Sequence, residues 1–111
     1  MLQRNKIRQT TLTKADIVDL IHEYFIEQND QFEEPITIKD AFKVVETLIE
    51  IIKGTLESGE EVLITGFGKF YVRDKSERRG RNPATGEEMI LKARRVVTFS
   101  PSQKLRDLVN K

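Results

Sequence analysis

The side chains best equipped for chemistry in this chain are arginines. Arg78, Arg79, Arg81, Arg94 and Arg95, with Arg73, Lys75 and Lys92, fall within residues 73–95, where eight basic groups meet four acids, Asp74, Glu77, Glu87 and Glu88. A guanidinium is a permanent charge carrying a rigid fork of N–H donors, which suits phosphates and other polyanions. Residues 1–14 add Arg4, Lys6, Arg8 and Lys14 with no acid, whereas residues 23–61 hold eleven acids against three lysines. A net charge of +1 therefore hides a segregation that is the footprint of a polyanion-binding face opposite an acidic one. The plain alternative is two solvated faces of unlike charge.

Catalytic constellations are not found. His22 is the sole histidine and there is no cysteine, so neither a metal site nor thiolate chemistry is expected. Glu60-Glu61 and Glu87-Glu88 are adjacent, hence on opposite faces of a strand and unsuited to a paired-carboxylate mechanism. Gly66-Phe67-Gly68 lacks the Gly-Lys-Ser/Thr of a phosphate loop. Tyr24 and Phe25 read as core residues rather than base-stacking ones. The expectation is a protein without enzymatic activity, cofactor, metal or small-molecule substrate. No apolar run approaches the ~18 residues of a membrane span, and the basic start lacks a signal peptide's apolar region; a cytoplasmic location is expected.

The elements that must position the arginines can be read from capping and periodicity. Thr13-Lys14-Ala15-Asp16, Thr37-Ile38-Lys39-Asp40 and Ser100-Pro101-Ser102-Gln103 each offer a hydroxyl at N-cap and an acceptor three residues on. Pro101 would then open the last helix, where its missing N–H does no harm. Ile17, Leu20, Ile21, Tyr24 and Phe25 form one helical stripe. The set Ala41, Val44, Val45, Leu48, Ile49, Ile51, Ile52 and Leu56 is wider than one face, so the second helix needs cover on more than one side. Gly59 is the predicted C-cap. Val62 to Thr65, Lys69 to Lys75 and Val96 to Phe99 read as strands, with Gly66-Phe67-Gly68 as a turn whose two glycines are free to take positive φ. Lys69, Tyr71 and Arg73 alternate with Phe70 and Val72. At 111 residues the chain is one small domain with a modest core of its own.

Residues 73–95 have few apolar groups, and Arg81-Asn82-Pro83-Ala84-Thr85-Gly86 is a turn sequence. The reading is a two-stranded ribbon with Pro83 at its tip, its strands of about nine residues reaching roughly 30 Å. Such a ribbon is marginal alone in water, and its arginines call for a polyanionic partner to order it. A narrow, electronegative DNA minor groove favours arginine.

Gly66-Phe67-Gly68-Lys69-Phe70, Gly80-Arg81-Asn82-Pro83-Ala84-Thr85-Gly86 and Ala93-Arg94-Arg95-Val96-Val97-Thr98-Phe99 resemble the bacterial HU / integration host factor family. Arg73-Asp74-Lys75 and the last of these stretches look most like the alpha subunit of the host factor. The resemblance runs from about Thr11 to Val109 and implies an α+β fold. It implies an intertwined dimer with a helical body of two N-terminal helices and one short C-terminal helix. A three-stranded antiparallel sheet per chain extends into a long β-ribbon arm, about residues 73–95. It implies double-stranded DNA as partner, gripped in the minor groove and bent by a proline wedge, and a place in the nucleoid. The dimer would form with a second copy or a beta-like sister subunit.

Residue by residue, Pro83 matches the wedge, and Arg78, Arg79, Arg81 and Asn82 lie beside it on the arm. Lys14, Gly66, Gly68, Arg73, Lys75, Lys92, Arg94, Arg95, Gln103 and Lys104 fall in regions that would meet phosphate. Phe67, Phe70 and Phe99 match the aromatic cluster of the dimer core, which Val45, Leu48 and Ile52 would complete. Two features depart from the family: a basic tail over residues 1–9, expected to be flexible, which would precede the DNA-binding domain of residues 10–111; and a longer loop over residues 28–35. A protein-interaction ribbon for an acidic partner and an RNA binder are the competing classes. The proline-tipped turn favours DNA over the first. The deep, narrow RNA major groove and the lack of paired stacking aromatics disfavour the second.

Overall fold

The computed structural model describes residues 11–28 and 35–111; the basic tail and most of the longer loop lie outside the described residues. The elements are α1 (Lys14–Glu27), α2 (Ile38–Glu57), β1 (Val62–Ile64), β2 (Gly68–Lys75), β3 (Arg78–Arg81), β4 (Glu88–Leu91), β5 (Arg94–Pro101) and α3 (Gln103–Val109). The chain divides into two compact units, Met1–Ile51 and Ile52–Lys111.

In the first unit, both helices begin where the hydroxyls predicted. The Thr13 hydroxyl accepts from the Asp16 N–H (3.2 Å), and the Asp16 carboxylate accepts from the Thr13 N–H (2.9 Å). Thr37 and Asp40 repeat this reciprocal pair at 3.1 Å each way, satisfying donors that a helix start leaves open. The Thr37 N–H, then its hydroxyl, and then Lys43 and Lys39 hold the Asp40 carboxyl below the ordinary carboxylate value. Val18 of α1 packs with Ala41 and Val45 of α2, with Ile17, Ile21 and Ile49 around them. Val18, Ala41 and Val45 are the buried hydrophobic residues among the described ones. Val44, Leu48 and Ile51, at helical spacing on α2, are 50%, 56% and 59% exposed. The width of the α2 stripe thus persists as uncovered apolar surface. Tyr24, expected in the core, is exposed, and its ring meets half-buried Phe25 edge-on at 5.5 Å.

In the second unit, α2 ends on Gly59 (φ 92°), where the Gly59 N–H reaches Leu56 O and the Glu60 N–H reaches Thr55 O. This is a Schellman stop. The sheet has the order β1-β2-β5, all antiparallel, and β3-β4 form a separate two-stranded sheet. The ribbon is therefore not a single pair of nine-residue strands. The ladder lapses at Ser76-Glu77 and Lys92-Ala93, and each outer strand has four residues.

Two local readings are corrected. Pro101 is the last residue of β5, opposite Gly68, and Ser102 caps α3 by accepting from the Leu105 N–H at 3.1 Å. Ser102 also donates its N–H to Phe67 O at 2.9 Å, which keeps the chain extended through the proline. A strand end tolerates proline where no ladder N–H is needed. In the β1–β2 turn, Gly66 is left-handed (φ 82°) but Gly68 is not. Gly68 is a strand residue paired with Ile64 and Pro101, and glycine is needed there because a Cβ would lie 2.5 Å from the Phe99 ring.

Candidate nucleic-acid interface

The pairing register of β2 and β5 sorts their side chains onto two faces. Lys69, Tyr71, Arg73 and Lys75 share one face with Arg94, Val96, Thr98 and Ser100; Phe70, Val72 and Asp74 share the other with Arg95, Val97 and Phe99. The first face gathers four cations. Lys69, which the alternation puts on the side of Arg73, joins this face although it is not among the residues expected to meet phosphate. Its ammonium stands 5.2 Å from the Tyr71 ring centre and 3.8 Å from Glu61. The second face is apolar apart from the Asp74–Arg95 pair at its end, and the Phe67, Phe70 and Phe99 rings cluster with centroids 4.7–6.4 Å apart. Phe67 and Phe99 stay exposed, as does Val97.

Arg94 and Arg95, adjacent in sequence, thus part company. Arg95 turns to the C-terminal end of α2, donating to Glu57 O (3.4 Å) and Leu56 O (3.5 Å), with Asp74 at 3.9 Å. A guanidinium suits the negative end of a helix. Arg94, like Lys75 opposite it, is on the basic face. Asp74, Lys75, Ser76, Ala93, Arg94 and Arg95 line a groove of about 450 Å³ at the root of the ribbon.

On the ribbon, Arg79 and Arg81 share a face with Ile90 and Glu88, whereas Arg78 lies with Gly80, Met89 and Leu91. Leu91 lies so close over Gly80 that a Cβ there would be 3.0 Å from it. Arg81 reaches Glu88 at 4.0 Å and donates to Gly86 O at 3.1 Å. Pro83 is exposed at the tip. Lys92 is exposed in the break between β4 and β5.

The remaining candidates are dispersed. In the first unit, the Lys14 ammonium pairs with Glu46 at 2.5 Å and lies 5.4 Å from the centre of the Phe42 ring. In the second unit, Gly66, Phe67 and Lys104 border an apolar groove of about 420 Å³ with Leu105 and Leu108. The Gln103 amide donates to Asp107 at 2.8 Å. Of the six residues assigned to a dimer core, Val45 is buried in the first unit, Phe70 and Ile52 are half-buried, and Leu48, Phe67 and Phe99 are exposed.

Residues 12–110 match the family described as bacterial DNA-binding protein. The chain belongs to that family. Among curated members, it is 48% identical over 99 residues to integration host factor subunit alpha of Neisseria meningitidis, covering 89% of this chain and 91% of that one. It is 50% identical over 98 residues to the subunit of the same name from Alteromonas mediterranea, covering 88% and 90%. Among solved structures it superposes on an Anabaena HU–DNA cocrystal structure with a TM-score of 0.69 and 34% identity, over 87% of this chain and 96% of that one. The family match extends into both units, and the HU neighbour shares the α+β fold. No helix among the described residues is long and apolar enough to cross a membrane.

Proposed function

We propose that this chain is an architectural protein of the nucleoid, not an enzyme, that binds double-stranded DNA in the minor groove and bends it. The observation that carries the reading is a basic sheet face, Lys69, Arg73, Lys75 and Arg94, whose two strands lead on to a ribbon bearing Arg78, Arg79 and Arg81 and tipped by exposed Pro83. Cations on the sheet and ribbon neutralise phosphates and release their counterions. The arginines of the ribbon enter the narrow groove. The Pro83 ring, rigid and without an N–H to leave unsatisfied, wedges between base pairs. Unstacking costs a few kcal/mol per step, offset by the phosphate contacts that a bent duplex gains with the body. The structural neighbour solved with DNA supports the same use of the fold.

The working unit is a dimer, so two arms make two kinks. The uncovered stripe Val44, Leu48 and Ile51 and the exposed Phe67 and Phe99 are the surfaces a partner covers. The relatives are named as alpha subunits, which favours a sister chain over a self-paired dimer. Affinities for duplex DNA, duplex RNA and heparin at matched salt test the reading. Tight, salt-dependent binding of duplex DNA with weaker binding of the other two is expected; equal binding to all three would reduce the site to a general polyanion surface.

A further inference from the structure

We propose that Asn82 is a positioning residue, which closes the ribbon tip around Pro83 and holds its ring outward before DNA arrives; the inference rests on the wedge reading above. Asn82 adjoins the wedge and carries a carboxamide able to read a base edge, but that group's acceptor is already in use. Its Oδ1 accepts the Ala84 N–H at 2.9 Å, an Asx turn that spans the proline. Its own N–H donates to Glu87 O at 2.9 Å, and its carbonyl accepts the Gly86 N–H at 2.7 Å. Among residues 81–90, Asn82 alone is half-buried, the rest being exposed.

The other side of the loop is tied as well. The Arg81 guanidinium donates to Gly86 O at 3.1 Å, and the Thr85 hydroxyl accepts the Glu87 N–H at 3.3 Å. Gly86 takes φ 74°, which a residue with a Cβ adopts at a penalty. Pro83 stands between groups that are bonded on both sides of it. A wedge must press on a base step without splaying, and a loop ordered in advance spares the ordering cost at binding. Asn82 therefore governs the bend more than the affinity.

The test compares full-length Asn82→Ala and Asn82→Ser with the parent and with Pro83→Ala, using a duplex labelled at both ends. In the free protein, the Ala84 amide of Asn82→Ala should exchange about fivefold faster, the factor expected for one lost hydrogen bond. On DNA, its end-to-end energy transfer should fall toward the straight-duplex value, while Kd rises by less than about tenfold. Asn82→Ser should recover more than half of the bend, since its hydroxyl can accept the same N–H. A parent-like bend from Asn82→Ala beside a straightened Pro83→Ala overturns the positioning role alone. Loss of affinity and bend together in both Asn82 variants, with Ala84 exchange unchanged, overturns it in favour of a direct DNA contact. A parent-like bend from Pro83→Ala instead overturns the wedge, and this proposal with it.

Discussion

Arg94→Ala and Arg95→Ala remove the same charge from neighbouring positions, yet they should do different things. Arg94 is on the basic face of the sheet; Arg95 is on the apolar face, turned to the carbonyls of Leu56 and Glu57. If Arg94 neutralises one phosphate, its loss should lower the salt slope of DNA binding by about 0.9, so that the affinity gap between parent and variant closes by about 3.5-fold from roughly 50 to 200 mM salt. Its melting temperature should hardly move. Arg95 makes two bonds near the limit of useful length and an ion pair at 3.9 Å, with 53% of its side chain exposed. Discounted for solvent screening, such a contact at a helix end stabilises by about 0.5 kcal/mol. Removing it should lower the melting temperature by about 2–4 °C in a domain of this size and leave the salt slope alone. Fluorescence anisotropy across a salt series, with calorimetry on the same preparations, reads both quantities. An Arg95→Ala slope that falls as far as that of Arg94→Ala would refute the assignment of the two arginines to opposite faces.

The unfolding midpoint should rise with protein concentration, because Val18, Ala41 and Val45 are too small a core for a stable monomer; a compact folded monomer at micromolar concentration in sedimentation would contradict the dimer. Deleting residues 1–9 should leave thermal stability nearly unchanged and lower the salt slope by about one to three units if Arg4, Lys6 and Arg8 meet phosphate; an unchanged slope would show that they do not. Because the Asp40 carboxyl is held low by Thr37, its contribution is present above the unfolded carboxylate value and is lost as pH falls through the lower folded one. Melts of Asp40→Asn should therefore show a shallower loss of stability on acidification than the parent, and parallel acid limbs would show that the cap adds nothing.

The elements that sequence made legible are those specified by neighbours in the chain. Thr13 with Asp16 and Thr37 with Asp40 set helix starts within three residues, and Gly59 set a helix end. Alternation over residues 69–73 gave the faces of β2. What was missed depends on contacts far apart in sequence. Ser100 and Ser102 are equivalent N-caps until the Phe67 carbonyl takes the Ser102 N–H. Gly68 looks like a turn residue until the Phe99 ring lies against it. The opposite fates of Arg94 and Arg95 follow from β2–β5 register and the end of α2, neither of which composition can supply. Lys69 is the reverse case: its alternation with Phe70 is local, and it suffices to put the ammonium on the face of Arg73. Within the candidate site, the cluster of arginines and the proline tip were visible from the start because a ribbon with few apolar residues has little else to do.

In the proposed mechanism Pro83 opens a base step and so bends the duplex. The most direct measurement is end-to-end energy transfer on a labelled duplex of about 35 base pairs, long enough to carry two kinks, with the parent protein and with Pro83→Ala. High transfer is expected with the parent and a fall toward the straight-DNA value with the variant. The salt slope should stay within about half a unit, since no charge is removed. A Pro83→Ala protein that bends the duplex as sharply as the parent would contradict that mechanism.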